Sequence, residues 1–153
     1  MAISDTGEDR VKEIDHIGVV VDNLEEAEAF LADVLKLEPE RKLNAPDRGF
    51  RAAFFGCGPV SIEVIEVLDP EARRLRLGAA TKARIEHVAL RVDDLNDEAQ
   101  RLSRLGVRMR GSADPRAETA EPAKVGDTLN LWTDPDTSDG VSYQLIGPAR
   151  PGK

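Results

Sequence analysis

Two stretches of the chain alternate apolar and polar positions, change to a helical spacing, and do so in the same order. In Ile14–Leu24 (IDHIGVVVDNL) β-branched residues recur at every second position until Asp22-Asn23, whose side chains can cap a helix start. Leu24, Ala27, Leu31 and Val34 follow at helical spacing. Ile85–Leu95 (IEHVALRVDDL) repeats the design: alternation ends at Asp93-Asp94, and Leu95, Ala99, Leu102 and Leu105 continue as a helix closed by Gly106, which suits a left-handed terminus. Further strands are expected near 38–43, 49–56 and 59–67 after the first helix. After the second they are expected near 107–111, 125–133 and 139–147, with Gly, Pro, Asn and Asp marking the turns.

The two halves are copies. Aligning the first segments puts His16 on His87, and the later match of VSIEVI (60–65) with VSYQLI (141–146) puts Glu63 on Gln144. The second copy carries about ten extra residues between its matched segments. The expected fold class is therefore α+β, with two fused βαβββ modules at 13–67 and 84–147. The linker, 68–83, is expected to hold one short helix around Leu75 and Leu77, and residues 1–12 and 148–153 are expected to be disordered. The stretch 111–127, with Pro115 and Pro122 and few large apolar residues, reads either as a lid or as a plain loop. A chain of 153 residues can bury one substantial core, which the two modules would share.

Composition narrows the function. The formal net charge of −8 offers no clustered cations for phosphate neutralisation, so neither nucleic acid nor an anionic membrane is an expected partner. Cys57 is the single cysteine, which rules out an internal disulfide and a thiolate-rich metal cluster. The first residues lack an apolar core segment and no window is apolar enough to span a membrane, so the expected location is cytoplasmic. The chain contains no Gly-rich phosphate loop, Gly-x-Ser-x-Gly elbow or Cys-x-x-Cys pair.

Strand alternation selects the candidate chemistry. Ile17, Val19 and Val21 share one face and should meet the first helix, leaving His16, Gly18 and Val20 on the other; Val88, Leu90 and Val92 likewise leave His87, Ala89 and Arg91. In the fourth strands the same count places Glu63 and Gln144 on the face away from the helices. The only two histidines thus share a sheet face with a carboxylate and an amide, flanked by the small residues Gly18, Ala89, Ser61 and Ser142. An isolated strand histidine is more often a hydrogen-bonded core residue, but a repeat-matched set of two imidazoles, one carboxylate and one amide oxygen suits a divalent ion with open positions. On this reading His16, Glu63, His87 and Gln144 are metal ligands. Arg91 is either a contact for a substrate anion or a solvated strand end, Trp132 with Phe54 or Phe55 either lines the pocket or packs the core, and Glu66 is a surface charge.

These segments resemble the vicinal oxygen chelate superfamily of glyoxalases, bleomycin resistance proteins and dioxygenases. IDHIGVVVDNLEEAEAFLADVLKLE, IEVIEV, IEHVALRVDDL and DPDTSDGVSYQLI are most similar to the methylmalonyl-CoA epimerase branch. The resemblance implies an incompletely closed eight-stranded sheet with helices on its outer face, cupping one divalent ion (Co, Mn, Ni, Zn or Fe). It also implies proton abstraction next to a carbonyl of a small substrate, with an acyl-CoA among the candidates, and a homodimer. Carried onto this chain, the proton-moving carboxylates are Glu63 and Asp47. Epimerases of this branch carry Glu where this chain has Gln144, which accepts no proton at neutral pH. A glyoxalase-type lyase, an extradiol-type dioxygenase and a non-catalytic small-molecule binder remain alternatives.

Overall fold

The computed structural model describes residues 10–117 and 119–150. Strand β1 (Val11–Val21) leads into helix α1 (Leu24–Ala29), which widens into a π-helical turn at Phe30–Val34. Strands β2 (Glu38–Ala45), β3 (Phe50–Cys57) and β4 (Val60–Val67) complete the first module. A short helix α2 (Pro70–Leu77) occupies the linker, as expected. The second module runs through β5 (Ala83–Val92), α3 (Leu95–Arg104), β6 (Met109–Arg110), β7 (Ala123–Val125), β8 (Thr128–Thr133) and β9 (Ser142–Pro148).

All the strands form one open mixed sheet in the order β2-β3-β4-β1-β5-β9-β8-β6, with β7 also pairing β8. Each module pairs its first and last strands in parallel, β1 with β4 and β5 with β9, and the modules meet where β1 and β5 run antiparallel. The extra strand explains the length difference between the copies. In the first module one unbroken β2 flanks β3, whereas the equivalent edge of β8 is covered by β6 and β7, and the excursion between those two holds the additional residues.

Alternation along the strands sorts the core into layers. On the convex side Leu24 and Leu31 of the first helical segment pack with Val21, Phe55 and Val64 of the sheet, and Leu95 of α3 packs with Val92, Leu131 and Leu145. Helix α2 lies on the opposite side, where its Ala72 and Leu77 meet Val20, Ala52, Phe54, Ile65 and Val67 and close one end of the concave face. The caps form as the sequence indicates: Asn23 Oδ1 accepts from the Glu26 amide at 3.0 Å, and Asp94 Oδ1 from the Asp97 amide at 3.0 Å. Lys36 and Gly106, which follow the two helices, both have positive φ, 59° and 88°.

Three expectations change. Val34 is 63% exposed because the π-helical turn adds a residue per turn and carries it off the packed stripe. Glu66 is no mere surface charge: its carboxylate accepts the first amide of α1, Leu24 N, at 2.9 Å and pairs with Arg51 at 3.0 Å. Residues 11, 12 and 148 are in strands, since Val11 pairs with Val92 and Thr128 with Pro148, while Arg10 pairs with Asp97 and the Ala149 amide donates to the Asp127 carbonyl at 2.8 Å; residues 1–9 and 151–153, also expected to be disordered, lie outside the described residues. Among the described residues no helix is long and apolar enough to cross a membrane. Replacing Asn23 by Ala should lower the unfolding free energy by about 1 kcal/mol, read from urea denaturation. No change would mean that Glu66 alone secures the helix start.

Candidate metal centre

His16 and His87 come from β1 and β5 at the join between modules, and Glu63 and Gln144 from the parallel strands beside them. His16 Nε2 lies 3.3 Å from His87 Nε2 and 3.3 Å from Glu63 Oε1, and His87 Nε2 lies 3.5 Å from the same oxygen. All three residues are buried. They open onto a cavity of about 1020 Å³ on the concave face.

The pairing of β1 with β5 is irregular where the histidines sit. Ile14 faces Leu90 and His16 faces Ala89, so Asp15 is an extra residue on β1; Gly18 faces His87 and Val19 faces Ile85, so Glu86 is an extra residue on β5. A bulge breaks the alternation of faces and re-aims its side chain. Here each bulged carboxylate reaches the histidine that follows it: Asp15 Oδ2 is 2.7 Å from His16 Nδ1, and Glu86 Oε1 is 2.9 Å from His87 Nδ1. Each acid is held by an arginine in turn, Asp15 by Arg91 and Glu86 by both arms of Arg76 at 2.7 Å. Strict alternation sends Asp15 and Glu86 to the wrong face, which is why sequence periodicity misses them. The clue was the duplication, which matches acid to acid ahead of each histidine.

The electrostatics of this cluster call for a cation. Burial resists charging His16, but hydrogen bonds to Asp15 and Glu63 outweigh it and raise its pKa to about 9. His87 is raised against burial by Glu63 and Glu86. Burial likewise opposes ionisation of Glu63, yet its contacts with the two histidines hold it at about 2. With each ring neutral and its one proton on the Nδ1 that faces a carboxylate, two Nε2 lone pairs and a carboxylate oxygen would converge within 4.8 Å of one another. Protonating both rings would set two N–H groups against each other across 3.3 Å. A divalent ion supplies the missing positive charge and uses all three lone pairs, so the residues present fit a metal.

Gln144 lines the same cavity. Its Nε2 donates to Asn130 Oδ1 at 2.9 Å, and Asn130 donates to Thr128 Oγ1 at 3.1 Å and to the Ala123 carbonyl at 3.3 Å. With the amide nitrogen engaged, Gln144 offers its oxygen to the cavity. The small residues beside the histidines serve the opposite module rather than a substrate. Gly18 pairs with His87 and Ala89 with His16, and a Cβ on Gly18 would stand 2.1 Å from the His87 ring.

Other candidates separate. Asp47 sits exposed on the turn Pro46–Arg48 and is not among the residues lining the cavity, so the structure does not bring the second expected proton carrier to the site; Arg48 lines it instead. Arg91 is bound to Asp15 and Glu13. Phe54, not Phe55, faces the cavity, its ring edge-on to His16 with centroids 5.6 Å apart, and Trp132 lines the second module's wall. The stretch 111–127 is neither a bare loop nor detached: it contains β7, and Arg116 ties it to Asp69 of the α2 cap at 3.0 Å.

Comparison with known proteins settles the relationship. The family profile described as the glyoxalase/bleomycin resistance protein/dioxygenase superfamily matches residues 15–125. The chain belongs to this superfamily. Within it, the mitochondrial methylmalonyl-CoA epimerase of Bos taurus is 26% identical over 114 residues, 74% of this chain and 60% of that protein. The uncharacterized protein YqjC of Bacillus subtilis strain 168 is 30% identical over 91 residues, 59% of this chain and 64% of that one. The matched segments thus span less than two thirds of either relative. The crystal structure of methylmalonyl-CoA epimerase from Mycobacterium tuberculosis superposes with a TM-score of 0.78 at 22% identity, covering 96% of this chain and 95% of the other, a likeness of fold.

Gly18→Ala should displace the His87 ring and remove most bound divalent ion, by elemental analysis, while circular dichroism stays unchanged; full metal retention would contradict the close approach. Asp15→Ala and Glu86→Ala should each weaken metal affinity about 10- to 100-fold by calorimetric titration. Unaltered affinity would show that the bulged acids do not orient the ligands.

Proposed function

We propose that the chain is a metal-dependent enzyme of isomerase or epimerase type that removes a proton from the carbon next to a carbonyl in a small acyl or oxo substrate. The observation that carries this reading is the convergence of His16, His87 and Glu63 at one point of a large cavity, with Glu63 as the only carboxylate of the three. A divalent ion held by His16, Glu63, His87 and Gln144 would act as a Lewis acid that acidifies the C–H beside a carbonyl. Glu63, the one carboxylate at this point, is the group of the set whose chemistry lets it take the proton and return it. With each Nδ1 bonded to Asp15 or Glu86 and each Nε2 on the ion, neither imidazole would have a free nitrogen to compete for that proton. Phe54, Ile65, Trp132 and Ile146 wall the cavity and limit the water that could intercept it.

Gln144 stands where the opposite module supplies Glu63, and an amide cannot carry a proton. The site therefore favours chemistry in which one carboxylate both takes and returns the proton, as in an isomerase or in exchange on one face. The relationship to an epimerase named for methylmalonyl-CoA supports an acyl thioester as one substrate class to test.

A second reading has its own support. Two histidines and one carboxylate with further positions open also form the ligand set of ferrous oxygenases, which would make the chain an extradiol-type dioxygenase.

In heavy water, metal-loaded protein should place deuterium at the α-carbon of a member of a panel of 2-methyl acyl thioesters and 2-oxo acids, followed by NMR. Glu63→Gln, whose amide can still coordinate, should slow that exchange about 100-fold or more with its metal content preserved. No exchange across the panel, together with oxygen uptake by the ferrous protein on a catechol, would replace the leading reading with the second.

A further inference from the structure

The two acids behind the histidines are held by arginines of different origin. Asp15 and Glu86 correspond in the duplication, but their arginines do not: at the spacing that sets His16 on His87, Arg91 of β5 falls on Val20 of β1, and Arg76 belongs to the linker helix, outside both copies. Their surroundings differ as well. The Arg91–Asp15 pair is open to water, with the arginine side chain 53% exposed, and Arg91 also reaches Glu13 at 3.4 Å. The Arg76–Glu86 pair is enclosed, its side chains 11% and 6% exposed. Arg76 donates from Nε to Oε2 and from Nη2 to Oε1 of Glu86, each at 2.7 Å, and the same Oε1 lies 2.9 Å from His87 Nδ1. Guanidinium, carboxylate and imidazole form one continuous chain of contacts from the linker to a candidate ligand.

Local sequence explains how α2 delivers that side chain. Asp69 Oδ2 accepts the Ala72 amide at 3.0 Å, Pro70 opens the first turn, and Gly78, with φ 61°, ends the helix with its amide on the Arg74 carbonyl at 3.0 Å. Arg73 Nε donates to the Val67 carbonyl at 2.7 Å and ties the helix to the end of β4. Ala72 and Leu77 pack on strands of the first module, while Arg76, one turn after Ala72, reaches Glu86 on β5 of the second. A helix anchored to one module thereby sets a carboxylate of the other.

A forked guanidinium fixes the plane of a carboxylate as well as its position. A buried carboxylate deprived of that fork is left uncompensated and reorients, which changes what His87 Nδ1 meets. Asp15, beside an exposed arginine, can exchange its partner for water at small cost. We propose that Arg76 is a positioning residue of the candidate metal centre: acting through Glu86 it fixes the His87 ring, so that the linker helix, and neither repeat, sets the geometry of the second module's histidine. This deepens the proposed function and rests on that reading only in taking His87 as a ligand.

Cobalt(II) serves as the probe, since titration gives its affinity and its visible absorption reports ligand geometry. Arg76→Gln should weaken cobalt binding about tenfold or more and alter the absorption spectrum. Arg91→Gln should weaken it by at most about fivefold and leave the spectrum as in the parent. A role spread over the helix would survive removal of Glu86, whereas action through Glu86 would not: in a Glu86→Gln background, Arg76→Gln should add less than about twofold. Nitrogen-15 spectra of the imidazoles in metal-free protein give a reading independent of any ion, and Arg76→Gln should move the His87 ring signals more than those of His16. Arg76→Lys, which keeps the charge and loses the fork, carries the same test where Arg76→Gln fails to fold. Unchanged His87 signals, cobalt affinity and spectrum equal to the parent's, or the full loss repeated in the Glu86→Gln background would each overturn the proposal. A parent protein that binds no cobalt defeats the metal reading alone, because the ring signals still decide whether Arg76 positions His87.

Discussion

The structure turns on one electrostatic requirement: two imidazole nitrogens and a carboxylate oxygen are held 3.3 to 3.5 Å from one another at the seam of two modules. Backbone pairing fixes the approach, since His16 and His87 belong to adjacent antiparallel strands and Glu63 to the parallel neighbour of the first. Asp15 and Glu86 surround the pair with further negative charge, and Arg91 and Arg76 keep those acids in place. Such a cluster is tolerable when a cation completes it. Much of the concave face, from the Gly18 gap to the Asn130 support behind Gln144, follows from that need.

Much of this was legible in the sequence because two periodicities reported on it independently. Alternation placed His16, Glu63, His87 and Gln144 on one face, and the internal repeat said that the two pairs were equivalent. Legibility failed wherever the backbone departed from its regular period. The bulges at Asp15 and Glu86 reversed the expected face of both acids, and the π-helical turn carried Val34 into solvent. Asp47 matches the family's proton carrier only by its place along the chain, and a one-turn 3₁₀ segment leaves it exposed. The partner of Glu66 is invisible to local pattern, because the amide it caps lies on an element distant in sequence.

The copies have diverged unequally. Their ligand frames remain superimposable in register, whereas the flanks have split: β2 is continuous while β6 and β7 are fragments, and Arg41 stacks on Phe54 while Arg110 pairs with Asp134. Glu63 and Gln144 show the same division at the centre. One half keeps the group that can hold a proton and the other a group that can only donate or accept a hydrogen bond. A symmetric scaffold has thereby acquired a handed interior, in which a bound molecule meets different chemistry on its two faces.

The bulges have a mechanical effect beyond their carboxylates. An inserted residue bends its strand and increases local twist. Two of them, on adjoining strands and close along the seam, concentrate coiling where the halves join, so the sheet is steered toward a trough rather than a flat ribbon. The same two insertions that direct the acids onto the imidazoles help to make the vessel, and deleting either would flatten the container along with disarming its contents.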